Sequence, residues 1–380
     1  MKKILAMLLV LAMALSLVAC GGNKAAEADG GYKVAMITDY GDITDQSFNQ
    51  TTYEACKAFA EANKVDFTYF KPAGDSDAER VAMIEKAVDE GYNVIVMPGF
   101  AFANAIATAA PQYADVKFIA LDVSEFDLTS AGLTAETMKN VYSAVYQEEL
   151  SGYMAGYAAV KLGYTKLGFL GGMAVPAVQK FGYGFVQGAD AAAKEMNITV
   201  DMNYIYGGLF YGTADITAVM DTWYQGGTEV VFACGGGIYT SAVDAAKKVE
   251  GAKVIGVDVD QAGVIANYAG DADKSLTVTS AMKGLYPTTV DTLTDVVVNG
   301  NWDKYAGKVE TLGLVSGDDP TANYVQIPME STQWSDTFTQ DNYKALVKGM
   351  FDGTIKVSAD VSAMPAVTNV NVSEQGQIVG

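Results

Sequence analysis

Short apolar runs alternate with amphipathic stretches along most of this chain. The runs lie at 33–38, 66–70, 93–97, 117–122, 166–170, 201–206, 229–234, 253–257 and 276–281. They have the length and uniform apolarity of buried strands. Between them, apolar residues recur at helical spacing over 47–63, 76–90, 102–110, 146–162, 178–195, 213–225, 238–248 and 285–299. Strand following helix in this way predicts an α/β protein with parallel sheets covered on both faces. Two smaller sheets suit a chain of 380 residues better than one large sheet.

A break near 142–148 separates the set of strands ending at 117–122 from the set starting at 166. The chain is expected to return near Lys283 and Gly284, and to cross again near 308–317. This assigns 32–145 plus 284–310 to lobe 1 and 146–283 to lobe 2, with 311–357 completing the lobes. Asp341–Phe351 reads as a final helix stopped at Gly353. The tail 358–380 has no periodic pattern and is left without predicted structure. Asp75-Ser76-Asp77 caps the helix over 76–90 and puts acids at its positive end. Gly152 and Gly156 in the helix over 146–162 predict close approach of another backbone.

Residues 1–20 read as an export signal, with Lys2 and Lys3 ahead of an apolar run from Ile4 to Val18. Leu17-Val18-Ala19-Cys20-Gly21 resembles a lipobox, which makes Cys20 the candidate lipidated residue. Residues 21–31 are small and polar and read as a flexible tether. The formal charge of −20 argues against nucleic acid as a partner. The absence of histidine excludes Ser-His-Asp and Cys-His catalysis and every His-ligated metal site. Cys56 and Cys234 read as buried packing residues.

Polar chemistry gathers where strands end, which is where open α/β sheets place ligands. The loop after 33–38 carries Asp39, Asp45, Phe48 and Asn49, and opens onto a helix at Ser47. Rings beside acids suit a ligand with a flat apolar face and several hydroxyls. Further along, strand ends supply Gly99-Phe100-Ala101-Phe102, Asp122, Phe210, the glycines 235–237, Asp258 with Asp260, and Lys283. The triple glycine lacks dinucleotide spacing, and Asp258-x-Asp260 lacks the EF-hand pattern. No cofactor or metal is expected.

The run D-x-G-x-I-x-D-x-S-F-N from Asp39 to Asn49 resembles the first loop of the basic membrane protein family, the purine-nucleoside-binding lipoproteins of ABC importers. Other motifs follow in family order: 99–102, Asp122, 168–173, Phe181 with Gly184-Phe185, Phe210, 235–237, 255–261 and 280–283. The resemblance implies a two-lobed type I periplasmic-binding-protein fold, each lobe a parallel sheet flanked by helices, joined by a multi-strand hinge. It implies that Phe48 and Phe210 sandwich a purine and that Asp122 and Asn49 bond the base edge. Asp39 and Asp45 shape that loop, and Gly99 with Phe100 belongs to the same site. Asp258 and Lys283 hold the ribose, Gly236 admits the backbone close to the sugar, and Asp260 competes with Asp258. It also implies a monomer, anchored outside the cytoplasm through Cys20, that passes ligand to an ABC permease and its ATPase. Tyr53, Tyr211 and Gly212 depart from the family pattern.

The same residues leave other readings open. Phe181 and Phe185, spaced four apart, could serve the core as well as a ligand. Close carboxylates could belong to an exported nucleoside hydrolase. A sensory or adhesive surface lipoprotein would bind a different small molecule.

Overall fold

The structure is a computed structural model that describes residues 31–271 and 274–379. The signal segment, Cys20 and nearly all of the tether lie outside the described residues. Thirteen strands occur in it: β1 (Lys33–Ile37), β2 (Asp66–Phe70), β3 (Val94–Pro98), β4 (Lys117–Leu121), β5 (Val141–Tyr146), β6 (Lys166–Gly171), β7 (Val200–Tyr206), β8 (Val230–Cys234), β9 (Lys253–Asp258), β10 (Thr277–Lys283), β11 (Lys308–Leu312), β12 (Val325–Gln326) and β13 (Val370–Gln377). The α-helices are α1 (Phe48–Asn63), α2 (Asp77–Asp89), α3 (Ala103–Ala109), α4 (Glu125–Ser130), α5 (Glu148–Lys161), α6 (Pro176–Met196), α7 (Ala214–Gln225), α8 (Tyr239–Ala246), α9 (Ala262–Ala269), α10 (Leu285–Leu293) and α11 (Gln340–Phe351).

The strands form two sheets, one per lobe. Lobe 1 has the order β11-β5-β4-β3-β1-β2 and lobe 2 the order β12-β10-β9-β8-β6-β7-β13. Every pairing is parallel except β12 against β10. Each sheet carries an apolar cluster on both faces. Central strands such as β3 and β8 are therefore buried along their whole length and read as unbroken apolar runs. This is the two-lobed type I periplasmic-binding-protein fold.

The chain passes between lobes three times, after β5, after β10 and after β11. The crossings are tied together: Gln147 N–H donates to Leu312 O at 2.9 Å and Gly284 N–H to Tyr324 O at 2.6 Å. Close helix packing steadies the lobe 2 side of this hinge. A methyl group on Gly152 or Gly156 of α5 would collide with the Phe181 or Phe185 carbonyl of α6, and one on Gly184 or Gly188 with the Glu149 or Tyr153 carbonyl of α5. Glycine at these positions lets the two backbones touch.

Two expectations from the sequence need correction. Residues 141–146 are a strand, β5, so the chain leaves lobe 1 at Gln147 after a fifth strand. In VYSAVY, Ser143 and the two tyrosines interrupt the apolar run that marks the other central strands. The tail is not without structure: β13 runs parallel to β7 and forms the edge of lobe 2. Its sequence, VNVSEQGQ, is polar because one of its sides is open to solvent. The short helices α4 and α9 also escape the periodicity.

Candidate ligand cleft

The loop from Thr38 to Ser47 is held by its own carboxylates. Asp39 Oδ1 accepts from the Tyr40 and Gly41 amides, each at 2.6 Å, and from Asn49 Nδ2 at 3.2 Å. Gly99, at φ +127°, passes so close that an added Cβ would sit 3.1 Å from Asp39 Oδ2. Asp45 takes the amides of Ser47, Asn49 and Gln50 at 2.9, 2.9 and 3.1 Å, and so caps α1. Ser47 is thereby released from capping. Its hydroxyl crosses the cleft and donates to Asp258 Oδ2 at 2.6 Å. Asn49, gripped by both acids, keeps a buried Oδ1 with no protein partner.

Asp122 and Asp258 occupy equivalent places in the two lobes. Asp122 directly follows β4 and Asp258 ends β9, and both adopt left-handed backbone, φ +61° and +66°. Such a conformation costs energy in a residue other than glycine and is concentrated at functional sites. Both carboxylates converge on Lys283, at the end of β10. Its ammonium is hydrogen-bonded to Asp122 Oδ2 and lies 3.7 Å from both Asp258 Oδ1 and Glu148 Oε1. Phe48 covers it, with the ring centroid 4.7 Å from Nζ. Lys180 lies 3.5 Å from Glu148 Oε2.

These groups line a cavity of about 390 Å³ between the lobes. Asp39, Asp45, Phe48, Asn49, Gly99, Phe100 and Asp122 face it from lobe 1; Phe210, Gly236, Asp258 and Lys283 face it from lobe 2. Asp260 does not reach it. Its Oδ1 accepts from the Ala262 amide at 3.1 Å, at the start of α9. Asp122, expected at the base edge, and Lys283, expected at the sugar, are bonded to each other and so form one cluster. Of the phenylalanine pair on α6, Phe181 lines the cavity and Phe185 is core.

Sequence reasoning missed Tyr40, Glu148 and Lys180, all of which line the cavity. Glu148 stands just past the end of β5, and that strand was not recognised. Tyr40 stood in view beside Asp39.

Burial dominates the electrostatics. It raises the pKa of Asp39 and Asp45 despite the amides they accept. It raises Asp122 despite Lys283. Glu148 is pushed up by burial and then by the Asp122 charge, with Lys283 and Lys180 opposing. Burial alone would lower Lys283, but Asp122, Asp258 and Glu148 outweigh it and hold the ammonium charged. Asp122 Oδ1, like Asn49 Oδ1, is a buried acceptor without a partner. Acceptors in a ring-lined cavity can take hydroxyl and N–H donors from a flat polar solute.

Residues 32–342 match the Bmp family, described as ABC transporter substrate-binding protein PnrA-like. The chain belongs to the Bmp family. Bmp proteins are substrate-binding components of ABC transporters, and this chain has that solute-binding role. It is 28% identical over 298 residues to the ABC transporter nucleoside-binding protein BmpA of Lactococcus lactis subsp. cremoris, covering 75% of this chain and 80% of that one. It is 28% identical over 286 residues to basic membrane protein A of Borreliella burgdorferi, covering 73% and 79%. Among solved structures, an ABC transporter solute-binding protein from Aeropyrum pernix K1 superposes with a TM-score of 0.67 at 21% identity, covering 86% of this Bmp chain and 87% of that one.

Proposed function

We propose that this Bmp protein captures a purine nucleoside between its lobes and delivers it to an ABC permease, tethered to the membrane through Cys20. One observation carries the reading: a single inter-lobe cavity unites Phe48 and Phe210 with the Asp122–Lys283–Asp258 cluster and the unpaired oxygens of Asn49 and Asp122. The rings supply apolar faces for a base, and base–aromatic stacking is worth about 1–3 kcal/mol per ring. The acids and Lys283 supply acceptors and a cation for the hydroxyls of a ribose. Lobe 1 contributes Phe48, Asn49 and Asp122; lobe 2 contributes Phe210, Asp258 and Lys283. A ligand that engages both sets stabilises the closed arrangement, which is how a two-lobed binder signals occupancy.

Native mass spectrometry of the domain from residue 32 onward, purified from cells, tests the ligand class. Calorimetry with inosine, guanosine, adenosine and a pyrimidine nucleoside then ranks the candidates. Retained or titrated purine nucleoside supports the reading; absence of affinity for any nucleoside removes it. Recovery of intact inosine separates capture from hydrolysis.

A further inference from the structure

Tyr40 of lobe 1 also reaches across the cleft, ring to ring. Its ring centroid lies 6.3 Å from that of Phe210 in lobe 2, with the planes 31° apart. Its hydroxyl donates to Met173 Sδ, also in lobe 2, at 3.2 Å. A flat ligand between two rings needs them roughly 7 Å apart, twice the usual carbon contact distance. Tyr40 and Phe210 are closer than that and tilted, so they meet each other.

The two rings line the same cavity as Lys283, which is buried. The chain beside each ring is open to solvent: Asp42 is exposed, and Tyr211 is 57% exposed. Beneath Tyr40 lies Arg80 of α2, the sole arginine of the chain. Its guanidinium carbon is 5.8 Å from the Tyr40 centroid and 5.9 Å from that of Phe102. Arg80 is 3% exposed, bonded to Asp75 and 3.5 Å from Asp77. A planar guanidinium can stack on a ring and still bind carboxylates at its edge, which an ammonium cannot do.

We propose that Tyr40 is a gate residue. Its ring closes against Phe210 over the bound ligand and sets how long that ligand stays, and Arg80 is the positioning residue that braces it. Only the choice of probe rests on the nucleoside reading.

The test has two arms. In the first, spin labels on Glu125→Cys and Asp215→Cys, exposed positions on opposite lobes, report the inter-lobe distance without ligand. Tyr40→Val is expected to move the population toward longer distances. In the second, inosine dissociation is followed by stopped flow. Tyr40→Val should release it up to about tenfold faster, the size expected for loss of one aromatic pair, with the association rate changed less than about twofold. Arg80→Lys, which keeps the charge and loses the plane, should also release faster in protein that circular dichroism shows to be folded at the assay temperature. Should Tyr40→Val fold poorly, Tyr40→Leu carries the same test. Parent-like distances and dissociation in the Tyr40 variants overturn the gate; parent-like dissociation in Arg80→Lys overturns the brace. If the parent binds no nucleoside, the ligand assignment fails, and the distance arm still decides the gate.

Discussion

Replacing Lys283 with methionine removes the one cation that three buried carboxylates share. The lysine side chain is 3% exposed, and those of Asp122, Asp258 and Glu148 are 10%, 9% and 2% exposed. At an effective dielectric of about 20, each 3.7 Å contact is worth about 4.5 kcal/mol before desolvation. Desolvating the ammonium cancels much of that sum, but deleting one partner leaves the other charges buried and unmatched. The net loss for such deletions is about 3–5 kcal/mol. Methionine matches the lysine stem in volume, so packing against Phe48 and Tyr146 survives. The loss must also depend on pH. Asp122 and Glu148 already have raised pKa values, so they hold their protons more tightly folded than unfolded. Such groups cost stability as pH rises past their unfolded values and return it as pH falls. Without Lys283 their pKa values rise further. Urea unfolding of parent and Lys283→Met should therefore differ by about 3–5 kcal/mol near pH 8, and by clearly less near pH 5. A variant within about 1 kcal/mol of the parent near pH 8 would show that the cluster does not need its cation, and the electrostatic account of the cleft would fall.

Other outcomes follow from the same geometry. Phe48→Ala should weaken nucleoside binding by about 1–3 kcal/mol in calorimetry while the protein stays folded; unchanged affinity removes this ring from the site. Ser47→Ala deletes the hydroxyl that crosses to Asp258, and ligand-free scattering should show a more open particle. Glu148→Gln removes a carboxyl with a raised pKa, so its stability relative to the parent should improve as pH rises from about 5 to about 8; a parallel profile would mean that Glu148 does not titrate there. Deleting residues 370–380 strips β13 from β7 and takes away the Gln375 acceptor of the Trp223 indole. Calorimetric melting should then fall by at least about 3 °C.

Pattern along the chain was enough for the alternation of strand and helix, because strands covered on both faces must be apolar throughout and their helices must carry one apolar stripe. It was enough for most of the cleft as well, since strand ends are local events and Asp122, Phe210, Asp258 and Lys283 each stand beside one. Backbone contact at Gly152 and Gly156 was legible too, because only glycine permits it. What pattern could not carry was anything settled by partners distant in sequence. Edge strands β11, β12 and β13 take their identity from the neighbour they pair with, not from their own composition. Asp258 and Asp260 are two residues apart and chemically alike, yet one turns to Lys283 and the other to a local amide. Tyr40 and Arg80 become a stack, and Glu148 a third partner of Lys283, only when each lobe is folded, and Tyr40 finds Phe210 only when the lobes meet. Local propensity follows from neighbouring residues, whereas the sharing of a buried charge follows from where the whole chain brings its atoms.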